Sequence, residues 1–324
     1  MGEKVKAIQV EGENLVWADF ERPQCGPGQL RIEVAASAIN RADLMQRKGG
    51  YPPPPGASPI MGLECSGTVT ELGEGVSSFA VGDEVRALLA GGGYAEEVVV
   101  PAGQVLPVPE GVSVVDAAAL PEVFATAYLN LYMEAGLTPT ERVIIHAGAS
   151  GVGTAALQML KHSNNPSFVT VGNQSKLDQC KALGAEAGCI RHNGSFVPAV
   201  QAWAEHGVDV ILDPVGGQYL LDNFTVLGLG GRLVLIGLMG GAIAEANLGL
   251  LMMKRARVIG STLRARSIGE KALVMDGLKR DVWPRLKDGS IKPVVEARFP
   301  IEHTAEAHAL MATNDTVGKI LLTR

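Results

Sequence analysis

A glycine-rich turn carries the clearest chemical signal in this sequence. The run from Arg142 to Gly153 predicts an apolar strand, a tight turn and the start of a helix. Such a turn presents free backbone N–H groups and a positive helix end, which together bind the diphosphate of a nucleotide cofactor. Ser150 stands where the G-x-G-x-x-G pattern has its second glycine, so a turn that only packs tightly is the alternative. The residues predicted to contact the cofactor here are Gly148, Ser150, Gly151, Val152 and Gly153.

The sequence after this turn alternates apolar strands with helical segments. A helix is predicted over residues 176–183, and strands are predicted over 167–172, 208–213, 232–237 and 257–260. Short apolar strands separated by helices are typical of βαβ units. They predict a doubly wound parallel sheet that binds its ligand at the carboxyl ends of the strands.

The residues that follow the second strand decide which nicotinamide cofactor is favoured. An Asp or Glu at this point usually holds the ribose 2′-hydroxyl of NAD, whereas a 2′-phosphate needs neutral or basic groups. No acid stands between Gly172 and Lys176, and Ser175 and Lys176 can donate to a phosphate. Arg191 ends the next predicted strand and adds a guanidinium. NADPH is therefore the predicted cofactor, and the alternative is that Lys176 and Arg191 are solvated surface charges.

Length and composition limit the possible functions. The 324 residues suffice for two domains, and 47% hydrophobic residues, 5% aromatic residues and 40 glycines suit an α/β protein. A net charge of −6 without a run of Lys or Arg gives no reason to expect a nucleic acid or an anionic membrane as partner. The four scattered cysteines predict neither a zinc cluster nor a disulfide framework. The start of the chain lacks a secretory core and we expect no apolar run long enough to span a membrane, so a cytoplasmic protein is predicted. The sequons at Asn193 and Asn223 are interpreted as chance.

The chain before the glycine-rich turn has a different pattern. Short alternating strands, among them 30–34 and 66–72, are separated by close turns, which predicts a compact and mostly β module. Helical patterning begins at 116–119 and continues in 124–135.

The end of the chain is predicted to return to this first module. The last stretch contains a helix start at 300–304 and a closing strand at 318–322. The predicted division is a β module of residues 1–123 and 265–324 and an inserted nucleotide-binding domain of residues 124–264. The outer strand of the inserted domain, near 257–262, is a predicted dimer edge, because an unpaired apolar edge strand invites association. A homodimer is therefore expected.

Several motifs occur in one order over essentially the whole chain. They are AINRADLMQRKGGYP at 38–52, GLE at 62–64, ALPE at 119–122, HAGASGVG at 146–153 and IGLMGG at 236–241. This order resembles the zinc-independent quinone oxidoreductases of the medium-chain dehydrogenase/reductase superfamily. The likeness is greatest to the branch that contains the p53-inducible NADPH quinone oxidoreductase, whose turn also carries Ser-Gly-Val-Gly. The resemblance implies a GroES-like, mostly β catalytic domain with an inserted doubly wound (Rossmann) dinucleotide-binding domain.

The same resemblance implies that catalytic zinc is absent. Zinc alcohol dehydrogenases have Cys at the position of Asn40 and His at that of Leu63, and catalytic zinc needs three protein ligands. No metal is therefore predicted. Glu64, which follows Leu63, is interpreted as a structural carboxylate that accepts hydrogen bonds.

The resemblance also implies which residues form the site. Tyr51 borders the nicotinamide and the substrate pocket, and Asn40 lies beside the reacting ring; these two are the predicted catalytic residues. Thr126 is expected to approach the cofactor. Backbone contacts to the nicotinamide side are expected from Ile236, Gly237, Leu238, Met239, Ser261, Thr262 and Leu263.

The adenosine phosphate end is expected at Gly172, Ser175, Lys176 and Arg191. Related proteins have Tyr or His where this chain has Arg191, so stacking on adenine and pairing with the 2′-phosphate both stay open. Lys319 is a further cofactor candidate, and a surface charge is the alternative for it.

The implied function is the reduction of a quinone by hydride or electron transfer from NADPH, in a cleft between the two domains that excludes water. Tyr51, Asn40 or water could hydrogen-bond the oxyanion that forms, but the sequence identifies no dedicated proton donor. His146 ends the first strand on the cofactor side and is a poor general acid. The alternatives are an enone or 2-alkenal reductase, which uses the same hydride donor, and a non-catalytic NADPH-binding protein.

Overall fold

The computed structural model describes residues 2–12 and 14–324. Their strands are β1 (Lys4–Glu11), β2 (Asn14–Glu21), β3 (Gln29–Ala38), β4 (Glu64–Leu72), β5 (Glu84–Leu88), β6 (Glu97–Pro101), β7 (Val105–Pro107), β8 (Val143–His146), β9 (Ser167–Val171), β10 (Ala187–Ile190), β11 (Val208–Asp213), β12 (Leu227–Leu235), β13 (Arg257–Gly260), β14 (Val295–Pro300) and β15 (Lys319–Thr323). Their α-helices are α1 (Arg41–Arg47), α2 (Val114–Ala117), α3 (Pro121–Tyr128), α4 (Gly151–His162), α5 (Gln174–Leu183), α6 (Val197–Trp203), α7 (Leu220–Val226), α8 (Leu248–Met253), α9 (Ile268–Asp281), α10 (Trp283–Lys287) and α11 (Thr304–Ala312).

The chain folds into two compact units. The first unit contains the chain up to Ala125 and again from Leu263 onward, and the second contains Thr126–Thr262. The second unit is therefore inserted into the sequence of the first. The division predicted from the sequence places these boundaries after residues 123 and 264.

The first unit is built on a sheet with the strand order β14-β15-β3-β4-β5-β7, and β6 also pairs with β3. Most neighbours are antiparallel, whereas β14 and β15 run parallel. Apolar clusters around Ile39 and Tyr94, and around Leu30 and Val85, form its core. Because β15 lies antiparallel to β3, with Leu321 opposite Ala38, the start of β15 comes beside the residues that follow β3.

The second unit is a six-stranded parallel sheet with the order β10-β9-β8-β11-β12-β13. This order is that of a doubly wound dinucleotide-binding fold, in which the strand order reverses beside the first strand, here β8. The strands predicted at 208–213 and 257–260 coincide with β11 and β13. The predicted outer strand, β13, does lie at the edge of the sheet.

Several element boundaries differ from those predicted. The strand predicted at 232–237 begins earlier, at Leu227. The first half of β12 contains three glycines, whose low β-propensity gives no sign of a strand in the sequence. The helix predicted over 124–135 is α3 followed by a π-helical segment, Leu129–Glu134. At the C-terminus Pro300 ends β14 and is the N-cap of a 3₁₀ helix, Ile301–His303, which leads directly into α11 at Thr304, so the helix start predicted at 300–304 is confirmed. The strands β1, β2 and β14 and the helices α9 and α10 are not predicted from the sequence.

One segment corrects the expectation that no apolar run has the length of a membrane span. Val114–Glu134 has 21 residues and a mean hydropathy of 1.2, so it is long and apolar enough to cross a membrane by length and composition. However, 72% of its apolar window is buried inside the protein, as is usual for a core helix. Length and composition alone are therefore weak evidence for a span here.

Candidate functional site

The glycine-rich turn joins β8 to α4, and some of its backbone N–H groups donate hydrogen bonds within the protein. Gly148 N–H donates to Thr170 O at 3.1 Å, Ser150 N–H donates to Ala147 O at 2.9 Å, and Gly153 N–H donates to Ser150 Oγ at 3.1 Å. Ser150 is thus the N-cap of α4. In the described residues this leaves the amides of Gly151 and Val152 without an acceptor, which is the arrangement that suits a bound phosphate.

Two glycines of the turn are required by close packing. A Cβ at Gly153 would lie 2.4 Å from Gly148 O, and a Cβ at Gly148 would lie 2.5 Å from Val169 Cγ1. The helix can therefore begin against the turn only because both residues lack a side chain. The turn and its two open amides fit the diphosphate of a dinucleotide, although the glycines at 148 and 153 also serve packing.

The residues predicted for the adenosine phosphate end lie after β9 and β10. Gly172 follows β9, Asn173 caps α5 by accepting from Lys176 N–H at 3.0 Å, and Ser175 is exposed. Arg191 is exposed directly after β10. Lys176 is only 7% exposed, so the alternative that it is a solvated surface charge is wrong. Its buried stem limits how freely its ammonium can reach a ligand.

The segments predicted to contact the nicotinamide follow β12 and β13. Ile236 N–H donates to Asp213 O, Met239 N–H donates to Pro214 O, and Ser261 N–H donates to Leu235 O. Ser261 Oγ is buried, and no partner for it lies in the part of the chain that the structure describes. Leu238 and Met239 are each about half exposed. These segments thus lie at the carboxyl edge of the parallel sheet, where ligands of this fold bind.

Thr126 lies in the second half of α3 and is partly exposed. Its carbonyl accepts a hydrogen bond from Asn130 Nδ2 at 2.7 Å. The structure gives no further contact that bears on its predicted approach to the cofactor, which stays a prediction.

A buried hydrogen-bond chain, which sequence reasoning missed, supports this carboxyl edge. His146 Nδ1 lies 3.0 Å from Thr170 Oγ1 and His146 Nε2 lies 2.7 Å from Asn223 Oδ1. Asn223 Nδ2 in turn donates to Asp213 Oδ2 at 2.9 Å, and Asp213 Oδ1 accepts from the N–H of Val215 and of Gly216. Burial lowers the pKa of His146, so the ring is neutral and a poor general acid, in agreement with the sequence-based interpretation. Asn223 is fully buried in this chain, so the second sequon is not accessible to glycosylation.

Four polar residues of the first unit form a cluster, called here the Asn40 cluster, with Asn40, Glu64, Glu122 and Lys319 as its members. Glu64 is fully buried and accepts from Asn40 Nδ2 at 2.9 Å, from Glu122 N–H at 2.8 Å and from Lys319 Nζ at 2.8 Å. This confirms the interpretation of Glu64 as a structural carboxylate. Lys319 is 3% exposed, so the alternative that it is a surface charge is wrong.

The side-chain amide of Asn40 makes its hydrogen bonds inside this cluster and to the adjacent backbone. Its Oδ1 accepts from Lys319 Nζ at 2.7 Å, and its Nδ2 donates to Glu64 Oε1 and, at 3.3 Å, to Ala38 O. An additional hydrogen bond from Asn40 to a substrate oxygen would have to replace one of these. The catalytic role predicted for Asn40 stays a prediction, and the geometry favours a role in which Asn40 shapes the cluster.

Tyr51 is held by a residue that sequence reasoning missed. Arg264 is buried; its Nη1 donates to Tyr51 O at 3.1 Å, its Nε donates to Ala90 O, and its Nη2 donates to Gln46 Oε1. The guanidinium carbon also lies 5.2 Å from the centre of the Tyr51 ring, within cation–π range. Burial raises the pKa of Tyr51, so its phenol keeps its proton and can donate a hydrogen bond. The only sequence signal for Arg264 is its place directly after the predicted Ser261–Leu263 segment.

Asp43 anchors the loop that carries Asn40. Its carboxylate accepts from the N–H of Asn40 at 2.8 Å, from the N–H of Gly62 at 3.1 Å and from Tyr94 OH at 3.1 Å. Burial raises the pKa of Asp43 to about 6, although these hydrogen bonds act in the opposite direction. Asn40 and Asp43 form a capping box, which fixes the start of α1.

Two positions that carry zinc ligands in zinc alcohol dehydrogenases hold Asn40 and Leu63 in this chain. Leu63 is buried, and the Asn40 side chain is bonded to Glu64 and Lys319. Across residues 2–12 and 14–324, no group of three His, Cys, Asp or Glu side chains is arranged to hold a metal ion. Metal independence stays a prediction from these residue types.

Comparisons with known proteins agree with this architecture. Residues 26–110 match the alcohol dehydrogenase GroES-like domain, and residues 151–276 match the zinc-binding dehydrogenase family. The mouse synaptic vesicle membrane protein VAT-1 homolog is 32% identical over 315 residues, which cover 93% of this chain and 77% of the relative.

Solved structures of the same fold include proteins with several activities. A quinone oxidoreductase from Pseudomonas syringae pv. tomato is 27% identical with a TM-score of 0.85 and covers 100% of both chains. A mycobacterial protein solved in complex with NADPH is 27% identical with a TM-score of 0.86, covering 99% of this chain and 100% of its own. The CurK enoyl reductase is 27% identical with a TM-score of 0.83, covering 99% of this chain and 98% of its own.

These matches confirm the predicted fold class, a GroES-like domain with a Rossmann-type nucleotide-binding domain. The chain therefore belongs to the medium-chain dehydrogenase/reductase superfamily of oxidoreductases, which includes the VAT-1 homologues, the quinone oxidoreductases and enoyl reductases.

Proposed function

We propose that this protein catalyses the NADPH-dependent, metal-independent reduction of quinones. The observation that carries the proposal is the acid-free end of β9, where Ser175 is exposed. Arg191 is exposed directly after β10, and the turn after β8 offers the open amides of Gly151 and Val152 to a diphosphate. A 2′-phosphate favours such neutral and basic surroundings over the carboxylate that NAD needs. The related structures of a quinone oxidoreductase and of an NADPH complex support the same choice. Because residues 150–153 are Ser-Gly-Val-Gly, as in the p53-inducible quinone oxidoreductase branch, we propose that the chain belongs to that branch.

The residues of the first unit are proposed to orient the acceptor. When bound, NADPH supplies a hydride, and the protein's task is to position and polarise the acceptor. The protonated phenol of Tyr51, fixed by Arg264, is the proposed hydrogen-bond donor to the oxyanion that the acceptor develops. Lys319 already brings a positive charge to the Asn40 cluster, 2.8 Å from Glu64 Oε1 and 2.7 Å from Asn40 Oδ1. A zinc ion therefore has neither its ligands nor an uncompensated carboxylate at this place.

Steady-state rates with a panel of acceptors test the proposed function. With NADPH as donor, 1,2- and 1,4-quinones are expected to be reduced faster than enones, and the purified protein is expected to contain no stoichiometric zinc. The likeness to an enoyl reductase favours one second candidate, hydride delivery to the β-carbon of an enone or 2-alkenal, and faster turnover of enones would establish it. Tight NADPH binding without consumption by any acceptor would instead identify a non-catalytic binder.

A homodimer through the edge of the second unit is proposed as the assembly. Among the described residues no strand pairs with the outer side of the edge strand β13, and Val258 on it is 41% exposed. Helix α8, which precedes β13 in the chain, exposes Leu248, Met252 and Met253. An apolar edge of this kind is covered most simply by the same edge of a second copy, which would extend the sheet.

A charge on this edge is expected to break the dimer. Val258→Asp places a carboxylate on β13, and the variant should sediment as a monomer in analytical ultracentrifugation, whereas the wild type is expected to sediment at twice the mass of the chain. Val81→Asp is the matched control, since Val81 is exposed in a loop of the first unit. A monomeric wild type, or a Val258→Asp variant that stays dimeric, would reject this interface.

A further inference from the structure

A second carboxyl lies beside Glu64, and one of its oxygens has no hydrogen-bond partner among the residues that the structure describes. Glu122 stands in the first turn of α3, and its backbone N–H donates to Glu64 Oε2. Its own Oε2 is shielded from solvent and meets no hydrogen-bonding group in the described ranges. An ionised carboxylate oxygen in this position would be desolvated without compensation. The carboxyl is therefore held as the neutral acid, or it meets a bound ligand.

The ammonium of Lys319, the cation of this cluster, already donates its hydrogen bonds to groups other than the Glu122 carboxyl. Lys319 Nζ donates to Glu64 Oε1, to Ile39 O at 2.6 Å and to Asn40 Oδ1, which uses its three protons. Asn40 and the Glu122 backbone hold opposite oxygens of the same Glu64 carboxylate. One cation thus balances Glu64, and a second negative charge on Glu122 has no direct counter-ion among these contacts.

Burial and the adjacent Glu64 carboxylate raise the pKa of Glu122 to about 8. The charged and titratable groups that face it come from every neighbouring element: Glu64 on β4, Lys319 on β15, Asp43 on α1, Lys271 on α9, and Tyr51 and Arg264 in loops. Lys319 and Lys271 act against the shift, but they do not cancel it. Glu122 therefore carries a proton at neutral pH.

We propose that Glu122 is the proton donor of the reaction, a role for which the sequence alone identifies no residue. The proposal rests on the proposed function. A hydride passes from the nicotinamide to the quinone, which is reduced by two electrons and left as a hydroquinone monoanion. The O–H bond of Glu122 then breaks and a new O–H bond forms on the product oxygen. The Glu122 carboxylate then regains a proton from water, which reaches this partly exposed residue although its Oε2 is shielded.

The surroundings of Glu122 suit this role. The Glu122 charge contributes to the raised pKa of Tyr51, so the acid lies within electrostatic reach of the residue proposed to hold the acceptor oxygen. The Asn40 side chain, in contrast, has its amide protons engaged with Glu64 and Ala38. A neutral carboxylic acid within electrostatic reach of a phenol donor can supply the proton that a new oxyanion needs, while the phenol supplies the hydrogen bond.

Glu122→Gln tests the proposal, because it keeps the shape and the neutral charge but removes the transferable proton. The kcat for quinone reduction is expected to fall by about 10²–10⁴-fold with little change in KM, whereas Glu122→Asp retains part of the activity. Wild-type kcat should decline above pH about 8 as Glu122 loses its proton, and Glu122→Gln should lack this limb. Glu74→Gln, at an exposed position of the same unit, is the matched control and should leave kcat unchanged.

Two measurements that need no turnover test the protonation state of Glu122 directly. The folded state binds the Glu122 proton more tightly than the unfolded chain, so the contribution of this group to stability is present at low pH and is lost as pH rises through about 8. The urea midpoint of the wild type should therefore fall relative to that of Glu122→Gln as pH rises toward 8. A carboxyl signal that titrates near pH 8 in difference infrared spectra should be present in the wild type and absent from Glu122→Gln.

The possible outcomes separate the two proposals. Quinone reduction that survives Glu122→Gln with an unchanged pH profile would overturn the assignment of Glu122 and leave the proposed function standing. Absence of a carboxyl that titrates well above the ordinary range would also overturn it. A wild-type protein that reduces no acceptor would reject the proposed function, and the role of Glu122 would be rejected with it.

Discussion

Replacing Lys319 with methionine is expected to lower the free energy of unfolding by about 3–5 kcal/mol. Glu64 is fully buried and Lys319 is 3% exposed, so the ammonium is the counter-ion of a carboxylate that water does not reach. Lys319→Met would leave that charge uncompensated and would also remove the hydrogen bonds to Ile39 O and Asn40 Oδ1. Chemical denaturation measures the loss, and hydrogen exchange of the β3 and β15 amides shows whether it is located in the first unit.

Two further variants make this result specific. Lys287→Met breaks an ion pair with Glu110 whose side chains are 67% and 76% exposed, and it should change the stability far less than Lys319→Met, because water screens exposed charges. The double variant Glu64→Gln/Lys319→Met removes both buried charges and should recover a large part of the stability that Lys319→Met loses. If Lys319→Met costs no more than Lys287→Met, the Asn40 cluster does not depend on its buried cation.

The parallel sheet of the second unit could be predicted well from the sequence. Both β11, which is mostly buried, and the edge strand β13 are short runs rich in apolar β-branched residues, and they coincide with their predicted ranges. The glycine-rich turn is also recognisable, because Gly148 and Gly153 are needed for packing whatever binds there. Which amides of the turn stay open was not predictable, since it depends on the Ser150 side chain and on the Thr170 carbonyl.

The Asn40 cluster could not be predicted because its members are distant in the sequence. Lys319 reaches Asn40 and Glu64 only because β15 pairs with β3, and a lone lysine near a strand start gives no sign of that pairing. The sequence shows Glu122 only as part of the ALPE motif, since an unpaired carboxyl oxygen is a property of the packed structure. Helix α9, in contrast, has a sequence signal: Ser267 and Glu270 have capping-box spacing, and the box forms.

Replacing Arg191 with alanine is expected to weaken NADPH binding by about ten- to a hundredfold, or ~1.5–3 kcal/mol, and to leave NADH binding nearly unchanged. Arg191 is exposed directly after β10, and the hydrogen bond that the structure shows for its side chain runs to His192 at 3.2 Å. Its guanidinium is thus available to a 2′-phosphate, whereas the side chain of Lys176 is buried. Isothermal titration calorimetry with both cofactors measures the two affinities.

The choice between phosphate pairing and adenine stacking follows from the same titrations. Adenine is common to both cofactors, so equal losses for NADPH and NADH would assign Arg191 to the adenine ring and reject its contact with the phosphate. Arg191→Lys keeps the charge but loses the planar group, and it should retain part of the NADPH affinity if Arg191 pairs with the phosphate. Lys181→Ala removes an exposed positive charge from the last turn of α5. It is the control for the effect of losing any positive charge from this domain. Because the predicted preference for NADPH over NADH depends on basic groups at this edge, a preference that survives Arg191→Ala unchanged would place its origin in Ser175 or Lys176.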